Sequence, residues 1–597
     1  MENEAWQSLA ALFLQRAEQR KGQPFLWAKR DGLYQPRTWN ETCAAVKELS
    51  RGLRSLGLER GERVVLVSEN RPEWLIADLA IVAAGAVTVP AYTTNTPADH
   101  EHILGDSGAV GAIVSTQALA RRLLPAAIKA PACKWLISID AIDYSQASTI
   151  DLHRWDEIIE RGRGLPDDVA EVVSRAKRDD LACIIYTSGT GGAPKGVMLS
   201  HANILSNCNG AYHLLSEFGL GREVFLSFLP LSHSYEHTAG QYFPISIGAQ
   251  IYYAEGVEQL LTNLGEARPT IMTAVPRLYE IMHQRILRGV EKQGGLKKTL
   301  FERTLELGRK RYFDPKSLTL GERLVDWLLD RLVRNKMRQR FGGRLKGMVS
   351  GGAALNPDIG IFFTALGLPV LQGYGQTEAS PVVAANRPGK VKMHTVGPPL
   401  ESVEVRIAED GEILVRGELV MKGYWRDDEA TAAAIQDGWL HTGDIGEFDG
   451  GGYLKITDRK KDIIVLSGGD NVSPARIESL LTLEPEIAQA MVFGDRRPHL
   501  VALIVPDEEF VLGWARQSGK PADRAALVQD EDFHAAVAAV VDRVNQRLSS
   551  LEKLRRFAIA KEAFTIENEM MTPTLKLRRH VIKGAYGDVL ERLYQRG

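Results

Sequence analysis

From about Thr38 to Val114 the chain alternates helical periodicity with short apolar runs. Asn40 to Leu56, Pro72 to Ala84 and Ala98 to Asp106 repeat their apolar residues at helical spacing, whereas Arg63 to Ser68, Ala86 to Val89 and Ala112 to Ser115 read as strands. Such alternation predicts parallel strands joined by helical crossovers. A second alternating set has a helix from His201, a strand over Glu223 to Phe228, a helix after Ser234, a strand over Gln250 to Tyr253 and a helix over Val257 to Leu264. Leu345 to Val349 and Leu368 to Leu371 read as further strands, with a helix opening at Asn356 and Pro357 between them.

The pattern then changes. From Val396 to about Tyr453 it becomes short strands with turns, such as Val403 to Ala408 and Glu412 to Arg416 around Asp410 and Gly411, which suggests a β-rich subdomain. The charged run Asp458 to Asp462 has little reason to be buried and marks a domain boundary. Beyond it, strands over Ile463 to Leu466, Ala488 to Phe493 and Ala502 to Val505 mix with helices over Ser473 to Leu483 and Phe533 to Leu548. The expected fold is therefore α/β. A large N-terminal domain, 1–458, has mixed sheets, helical crossovers and a β-rich subdomain at about 396–458; a smaller α+β domain spans 459–597.

The longest apolar stretch, Leu75 to Tyr92, is interrupted by Asp78 and punctuated by Gly85 and Pro90, so it reads as a buried helix and strand, not a membrane span. Glu2 and Glu4 precede an amphipathic pattern at the N-terminus, where a secretory signal would place basic residues; a docked helix is expected. Four cysteines (Cys43, Cys133, Cys183 and Cys208) lie far apart without a Cys/His cluster, which indicates neither a disulfide framework nor zinc and fits a reducing cytoplasm. A net charge of -2 gives no global reason to expect nucleic acid as a partner.

One region departs from that neutrality. Between Gln284 and Arg344 there are 17 lysines and arginines against 7 aspartates and glutamates, on helical patterns such as Leu300 to Tyr312 and Leu320 to Met337. Leu324, Trp327, Leu328 and Leu332 form one side, with Arg323, Arg331 and Arg334 around them. This helix could lie on an anionic membrane surface, peripheral at its inner face. The reading favoured from sequence is a helix packed on the core with a solvated basic face, since amphipathic helices of globular proteins look the same.

The chemistry concentrates in a few segments. Tyr186 to Gly196 follows a strand-like run, Leu181 to Ile185, and supplies Thr187, Ser188, Gly189, Thr190, Gly191, Gly192 and Lys195 in a tight connection. Backbone N–H groups of such a turn wrap an anion and the lysine adds a point charge, so a polyphosphate is the natural guest. Pro194 before Lys195 and Gly196 after it exclude the Walker loop, and Pro194 also breaks the dinucleotide fingerprint. Gly352, Ala353 and Ala354 let a flat ring approach a strand's carboxyl end. The turn Gln372, Gly373, Tyr374, Gly375, Gln376, Thr377 and Glu378 offers an aromatic face, a hydroxyl and a carboxylate suited to Mg2+. Asp444, just after a turn, could accept two hydrogen bonds from a ribose diol.

Together, these segments with Asp458 to Asp462 and Lys576 resemble the adenylate-forming superfamily of acyl-CoA and aryl-CoA synthetases, peptide-synthetase adenylation domains and beetle luciferase. The match runs in order through nearly the whole chain. Pro230 to His233 with Glu236, Thr572 to Lys576 and the helical insert at about 284–344 look most like long-chain fatty acyl-CoA synthetases. The resemblance implies that a fatty acid is joined to AMP from ATP, with pyrophosphate released, and then passed to CoA. It implies that Thr187 to Lys195 hold the β- and γ-phosphates, that Gly352 to Ala354 and Tyr374 enclose adenine, and that Thr377 contacts the α-phosphate. Glu378 would help hold Mg2+, Asp444 and Arg459 would bind ribose, and Lys576 would bridge the substrate carboxylate and the α-phosphate. His233, with Val275 to Arg277, would border the acyl pocket, and Lys461 would be the hinge of a mobile C-terminal domain.

Two departures stand out: Gly191 occupies a position where threonine is common, and Arg476 one where an acidic or small residue is frequent. The same chemistry on an aryl acid or with a carrier-protein thiol is the nearest alternative, and a non-catalytic nucleotide-binding membrane scaffold is a further one.

Overall fold

The strand Arg63–Val67 sends Val64 and Leu66 into one core and Val65 and Val67 into another. Burial on both faces is why the run reads as apolar without alternation. In this computed structural model, which describes residues 6–143, 149–187, 193–572 and 575–595, that strand lies between parallel Val87–Pro90 and Gly111–Val114. The eight-stranded sheet continues outward on one side through Trp135–Ser138 and Asp151–Arg154, and on the other through Leu181–Thr187, Lys195–Ser200 and Gly423–Tyr424. Leu181–Thr187 and Lys195–Ser200 pair antiparallel, as do Lys195–Ser200 and Gly423–Tyr424.

A second eight-stranded sheet runs parallel through Pro24–Arg30, Gln250–Tyr253, Val224–Ser227, Ile271–Ala274, Gly347–Ser350 and Val370–Gly375. Its edges are antiparallel strands, Leu33–Thr38 and Val382–Ala385. The helix Pro72–Ala83 is buried along its length in the core shared by the two sheets. Asp78, the residue that breaks its apolar run, accepts a hydrogen bond from the Tyr242 hydroxyl at 2.6 Å and lies 3.1 Å from His237 Nε2. A buried carboxylate persists where such partners replace water.

Five strands, Glu404–Ile407, Glu412–Arg416, Ile435–Gln436, Trp439–Phe448 and Leu454–Arg459, form the β-rich subdomain expected there. Two expectations need correction. Asp444 does not follow a turn but lies within the strand Trp439–Phe448. Asp458 and Arg459 belong to a strand too: Arg459 pairs in register with Asp444, so the charged run is partly a ladder.

After that strand, Ile487–Phe493, Leu500–Pro506 and Leu554–Ile559 make a three-stranded sheet. Helices Pro474–Leu481 and Glu531–Asn545 cover one face and Arg579–Arg592 the other. The unit docks on the larger part, with Asn356 Nδ2 donating to Ser479 Oγ at 2.8 Å and Arg288 pairing with Asp507 at 2.7 Å.

The basic insert is helical, as its periodicity implies, over Pro276–Gln293, Gly295–Phe313 and Leu320–Leu329, the last continuing through a π-helical turn, Asp330–Arg334, into Asn335–Arg340. Its orientation overturns the packed reading: Leu324, Trp327, Leu328 and Leu332 are exposed. The helix instead turns Asp326, Leu329 and Arg334 inward, where Arg334 Nη2 reaches Asp326 Oδ1 at 2.6 Å. Arg334 also donates to the carbonyls of Ala365, Asp326 and Thr304. A satisfied ion pair thus displaces the apolar stripe from the interior. No helix among the described residues is long and apolar enough to cross a membrane.

Candidate active site

The carboxyl ends of the strands Leu181–Thr187, Gly347–Ser350 and Val370–Gly375 bring up Thr187, Gly352 and Tyr374, as open α/β sheets do with ligand-binding residues. Thr187 ends one central strand and Lys195 begins its antiparallel partner; the two are a registered pair. Ser188, Gly189, Thr190, Gly191 and Gly192 connect them and lie outside the described residues. The neck of this connection is pinned on both sides: Tyr186 donates to Asp106 at 2.5 Å, and His102 Nε2 sits 2.8 Å from the Pro194 carbonyl.

Lys195 is held by residues far along the chain. Its ammonium pairs with Asp427 at 3.2 Å and lies 5.1 Å from the centre of the Tyr424 ring. The Tyr424 hydroxyl in turn donates to Glu378 Oε1 at 3.0 Å. Tyr424 and Asp427 therefore join the lysine expected at the phosphates to the carboxylate expected at Mg2+, and sequence reading missed both. Nothing local marked them: Gly423–Tyr424 pairs with the strand that Lys195 opens, a contact spanning more than two hundred residues.

In the second sheet, Gln372, Gly373, Tyr374 and Gly375 belong to the strand Val370–Gly375 and not to a turn, while Gln376 precedes a short helix, Thr377–Ala379. Glycine is required at 375, where a Cβ would meet the Pro381 carbonyl oxygen at 1.8 Å. Ser350 and Gln372 are paired residues on adjoining parallel strands, and Ser350 Oγ and Gln372 Oε1 are buried without a hydrogen-bond partner. Two residues after Ser350, Gly352 adopts φ +85°, and Ala353 and Ala354 are exposed. Unsatisfied polar atoms beside small residues make this a fitting edge for a polar heteroaromatic ring.

Tyr374 does more than offer its face. Its hydroxyl donates to Asp444 Oδ2 at 2.7 Å, and Arg459 Nε donates to Asp444 Oδ1 at 3.1 Å. Loss of hydration and the neighbouring Asp444 charge raise the Tyr374 pKa well above its usual value, so the hydroxyl stays a donor. Both Asp444 oxygens already have protein partners, yet each keeps a lone pair with which a diol could be met.

Thr377 is buried, its Oγ1 3.0 Å from Ser234 Oγ. Ser234 belongs to the segment that carries His233, whose Nδ1 accepts the Tyr235 backbone N–H at 3.1 Å. That assigns the ring proton to Nε2. Desolvation, and then the charge of Lys576, depress the His233 pKa to about 3, so the ring is neutral at working pH. Leu229, Tyr235 and Val275 form a small apolar cluster beside it. Below them Glu236 accepts from Ser227 at 2.6 Å and Thr273 at 2.7 Å, and burial pushes its carboxyl up to about 7.

Lys576 completes the arrangement from the other domain. It sits on a turn in which its N–H donates to Thr572 Oγ1 at 3.0 Å and its carbonyl accepts the Thr572 N–H at 2.8 Å. Desolvation, helped by Arg459, lowers its pKa to about 8 against the opposing pull of Asp444 and Glu378. One ammonium thus senses the groups expected at ribose, metal and acyl chain. Lys461 is exposed and follows Lys460, whose N–H donates to the Gly443 carbonyl at 2.8 Å. Arg476, the departure noted above, pairs with Glu552 on the surface.

The lysine shift has a sign that can be measured. Lys576 is charged below about pH 8 and neutral above it. If the charge stabilises the transferring group, kcat/KM for adenylation falls as pH rises through about 8, because that parameter reports free-enzyme ionisations. Lys576→Arg should remove the descending limb up to about pH 10, because a guanidinium stays protonated throughout that range. An unchanged limb would assign it to another group.

This architecture is shared with solved adenylation domains. The adenylation domain of a carboxylate reductase from Mycobacterium chelonae superposes with a TM-score of 0.77 at 23% identity, covering 99% of this chain and 92% of that one. The A domain of a carboxylic acid reductase from Segniliparus rugosus, solved with AMP and a co-purified carboxylic acid, gives 0.79 at 22%, covering 99% and 95%. The chain belongs to the AMP-binding enzyme family, whose model matches residues 13–425, followed by the AMP-binding enzyme C-terminal domain over 461–597. Among its relatives, the long-chain-fatty-acid–CoA ligase FadD15 of Mycobacterium tuberculosis is 35% identical over 95% of this chain and 93% of that protein. The peroxisomal long chain acyl-CoA synthetase 6 of Arabidopsis thaliana is 33% identical over 94% and 82%.

Proposed function

We propose that this protein is an AMP-forming long-chain fatty acid:CoA ligase. A carboxylate oxygen attacks the α-phosphorus of ATP, the bond to the bridging oxygen breaks, and pyrophosphate leaves. The thiolate of CoA then attacks the acyl carbon and AMP departs. A carboxylate has oxide as its leaving group and acylates poorly; adenylation replaces oxide with a stable phosphate. The protein's work is positioning and charge neutralisation.

The observation that carries this reading is the presence of Lys576 in the electrostatic neighbourhood of Glu378, Asp444, Arg459 and His233. In our reading Lys576 bridges the carboxylate and the α-phosphate, Thr377 meets the same phosphate, and Thr187 to Lys195 hold the rest. Asp444 and Arg459 take the ribose, and Gly352 to Ala354 with Tyr374 enclose adenine. Neutral His233, Val275 and Arg277 border the acyl chain. Glu378 Oε2 has no hydrogen-bond partner among the described residues, and a lone carboxylate suits an ion that draws its remaining ligands from phosphate and water. Mg2+ bound there would supply charge neutralisation on the phosphates. Lys461 serves as the pivot between domains 1–458 and 459–597, about which Lys576 withdraws to admit CoA. Its four unpaired cysteines suit the cytoplasm, against whose membrane face a lipid substrate would be met.

Pyrophosphate release over a panel of acids, with and without CoA, tests the assignment. Long-chain fatty acids should give the highest kcat/KM, with acyl-CoA formed stoichiometrically when CoA is present. A preference for aryl acids, or acyl-AMP that only a carrier-protein thiol can discharge, would replace the reading with its nearest alternative.

A further inference from the structure

The insert helix Leu320–Leu329, with its continuation Asp330–Arg334, is built inside out. Leu320 is 84% exposed, Leu324 62% and Trp327 50%, and Leu328 and Leu332 continue the same stripe at helical spacing. Its inward face carries the Asp326–Arg334 pair, with Arg334 wholly buried. Of the 18 large apolar side chains exposed among the described residues, seven fall between Phe313 and Leu332. A contiguous exposed apolar face of this kind marks an interaction surface.

The charges around the stripe say what covers it. Each acid of the helix is neutralised from within the insert: Glu322 by Lys310 at 2.8 Å, Asp326 by Arg334 at 2.6 Å and Asp330 by Arg338 at 2.7 Å. Arg323 and Arg331 have no carboxylate partner among the described residues; Arg323 donates to the Leu318 carbonyl, and Arg331 lies 4.2 Å from the centre of the Trp327 ring. The face therefore presents leucines, an indole and unneutralised guanidinium groups. A second copy of the chain fits it poorly, because a two-fold contact would set these arginines against their own counterparts. An anionic bilayer matches every part: acyl chains for the leucines, the interfacial zone for Trp327, and lipid phosphates for the arginines.

We propose that this stripe is a lipid-docking surface on which the protein lies against an anionic membrane, with Leu324, Trp327 and Leu328 at the boundary of headgroups and acyl chains. It names the surface behind the membrane-facing placement suggested above and rests on that placement for the partner alone; the ligase chemistry plays no part in it.

The test is sedimentation of the full chain with phosphatidylcholine vesicles containing about one third phosphatidylglycerol, compared with phosphatidylcholine alone and with high salt. The wild type should sediment with anionic vesicles and be released by salt. Leu324→Glu/Leu328→Glu should lower vesicle affinity at least about tenfold, and Arg323→Gln or Arg331→Gln about fivefold each at low salt. All four positions are exposed, so the thermal transition and pyrophosphate release from detergent-dispersed acid should stay at wild-type values. Ligase activity absent with vesicle binding intact would count against the enzymatic reading only. Wild-type protein that ignores anionic vesicles, a double variant that binds as the wild type does, or a dimer in sedimentation velocity that the double variant dissolves would each overturn the proposal.

Discussion

Lys576→Ala should abolish most acyl-AMP formation, lowering its rate about 10²–10³-fold, while transfer of a supplied acyl-AMP to CoA stays close to wild type. The asymmetry follows from where charge develops. In the first step the attacking carboxylate and the α-phosphate concentrate negative charge between them, and an ammonium poorly hydrated beforehand has little solvent to shed when it meets that charge. In the second step the leaving group is already a phosphate monoester, and in the proposed alternation the lysine would be withdrawn. Pyrophosphate release measures the first half-reaction; thioester formed from synthetic acyl-AMP measures the second. Equal loss of both in a folded variant would show that Lys576 serves the architecture of the cleft and not the adenylation step.

A second large effect concerns stability. Arg334→Ala should cost about 3–5 kcal/mol, the usual penalty for removing one partner of a buried ion pair. Arg334 is fully buried and joins three segments, donating to the carbonyls of Ala365 and Thr304 as well as to Asp326. Its removal strands those acceptors and leaves a cavity beside the helix Pro357–Ala365. Urea unfolding and limited proteolysis within 313–340 report it. A shift below about 1 kcal/mol would mean that Arg311, which also pairs with Asp326, takes over the role, as an exposed pair of that size would allow.

Much of the fold was legible because both large sheets are buried on two faces, which leaves unbroken apolar runs such as Arg63–Val67 between amphipathic helices. The strands Asp151–Arg154 and Leu33–Thr38 escaped notice for the opposite reason: they are edge strands, half-exposed and charged, and carry no apolar signature. The insert misled because a leucine stripe reads the same whether it faces core or solvent. Only the Asp326–Arg334 pair decides between them, and it joins positions eight residues apart, across a π-helical turn that shifts the helical phase. At the site, residues clustered in one short segment, such as Gln372 to Glu378, could be read together. Tyr424 and Asp427 act through contacts with Glu378 and Lys195, and pairings between such distant segments exist only after folding.

The ladder that ends at Arg459 bears on how two reactions share one cleft. Asp444 and Arg459 are its last registered pair, and Lys460 N–H still bonds the Gly443 carbonyl before the chain reaches Lys461. If Asp444 and Arg459 hold the ribose as proposed, a swing that begins beyond that amide would leave this clasp untouched. The reactive adenylate would then be kept gripped, like work in a vice, while the tail domain exchanged one working face for another, and water would gain no interval in which to intercept it.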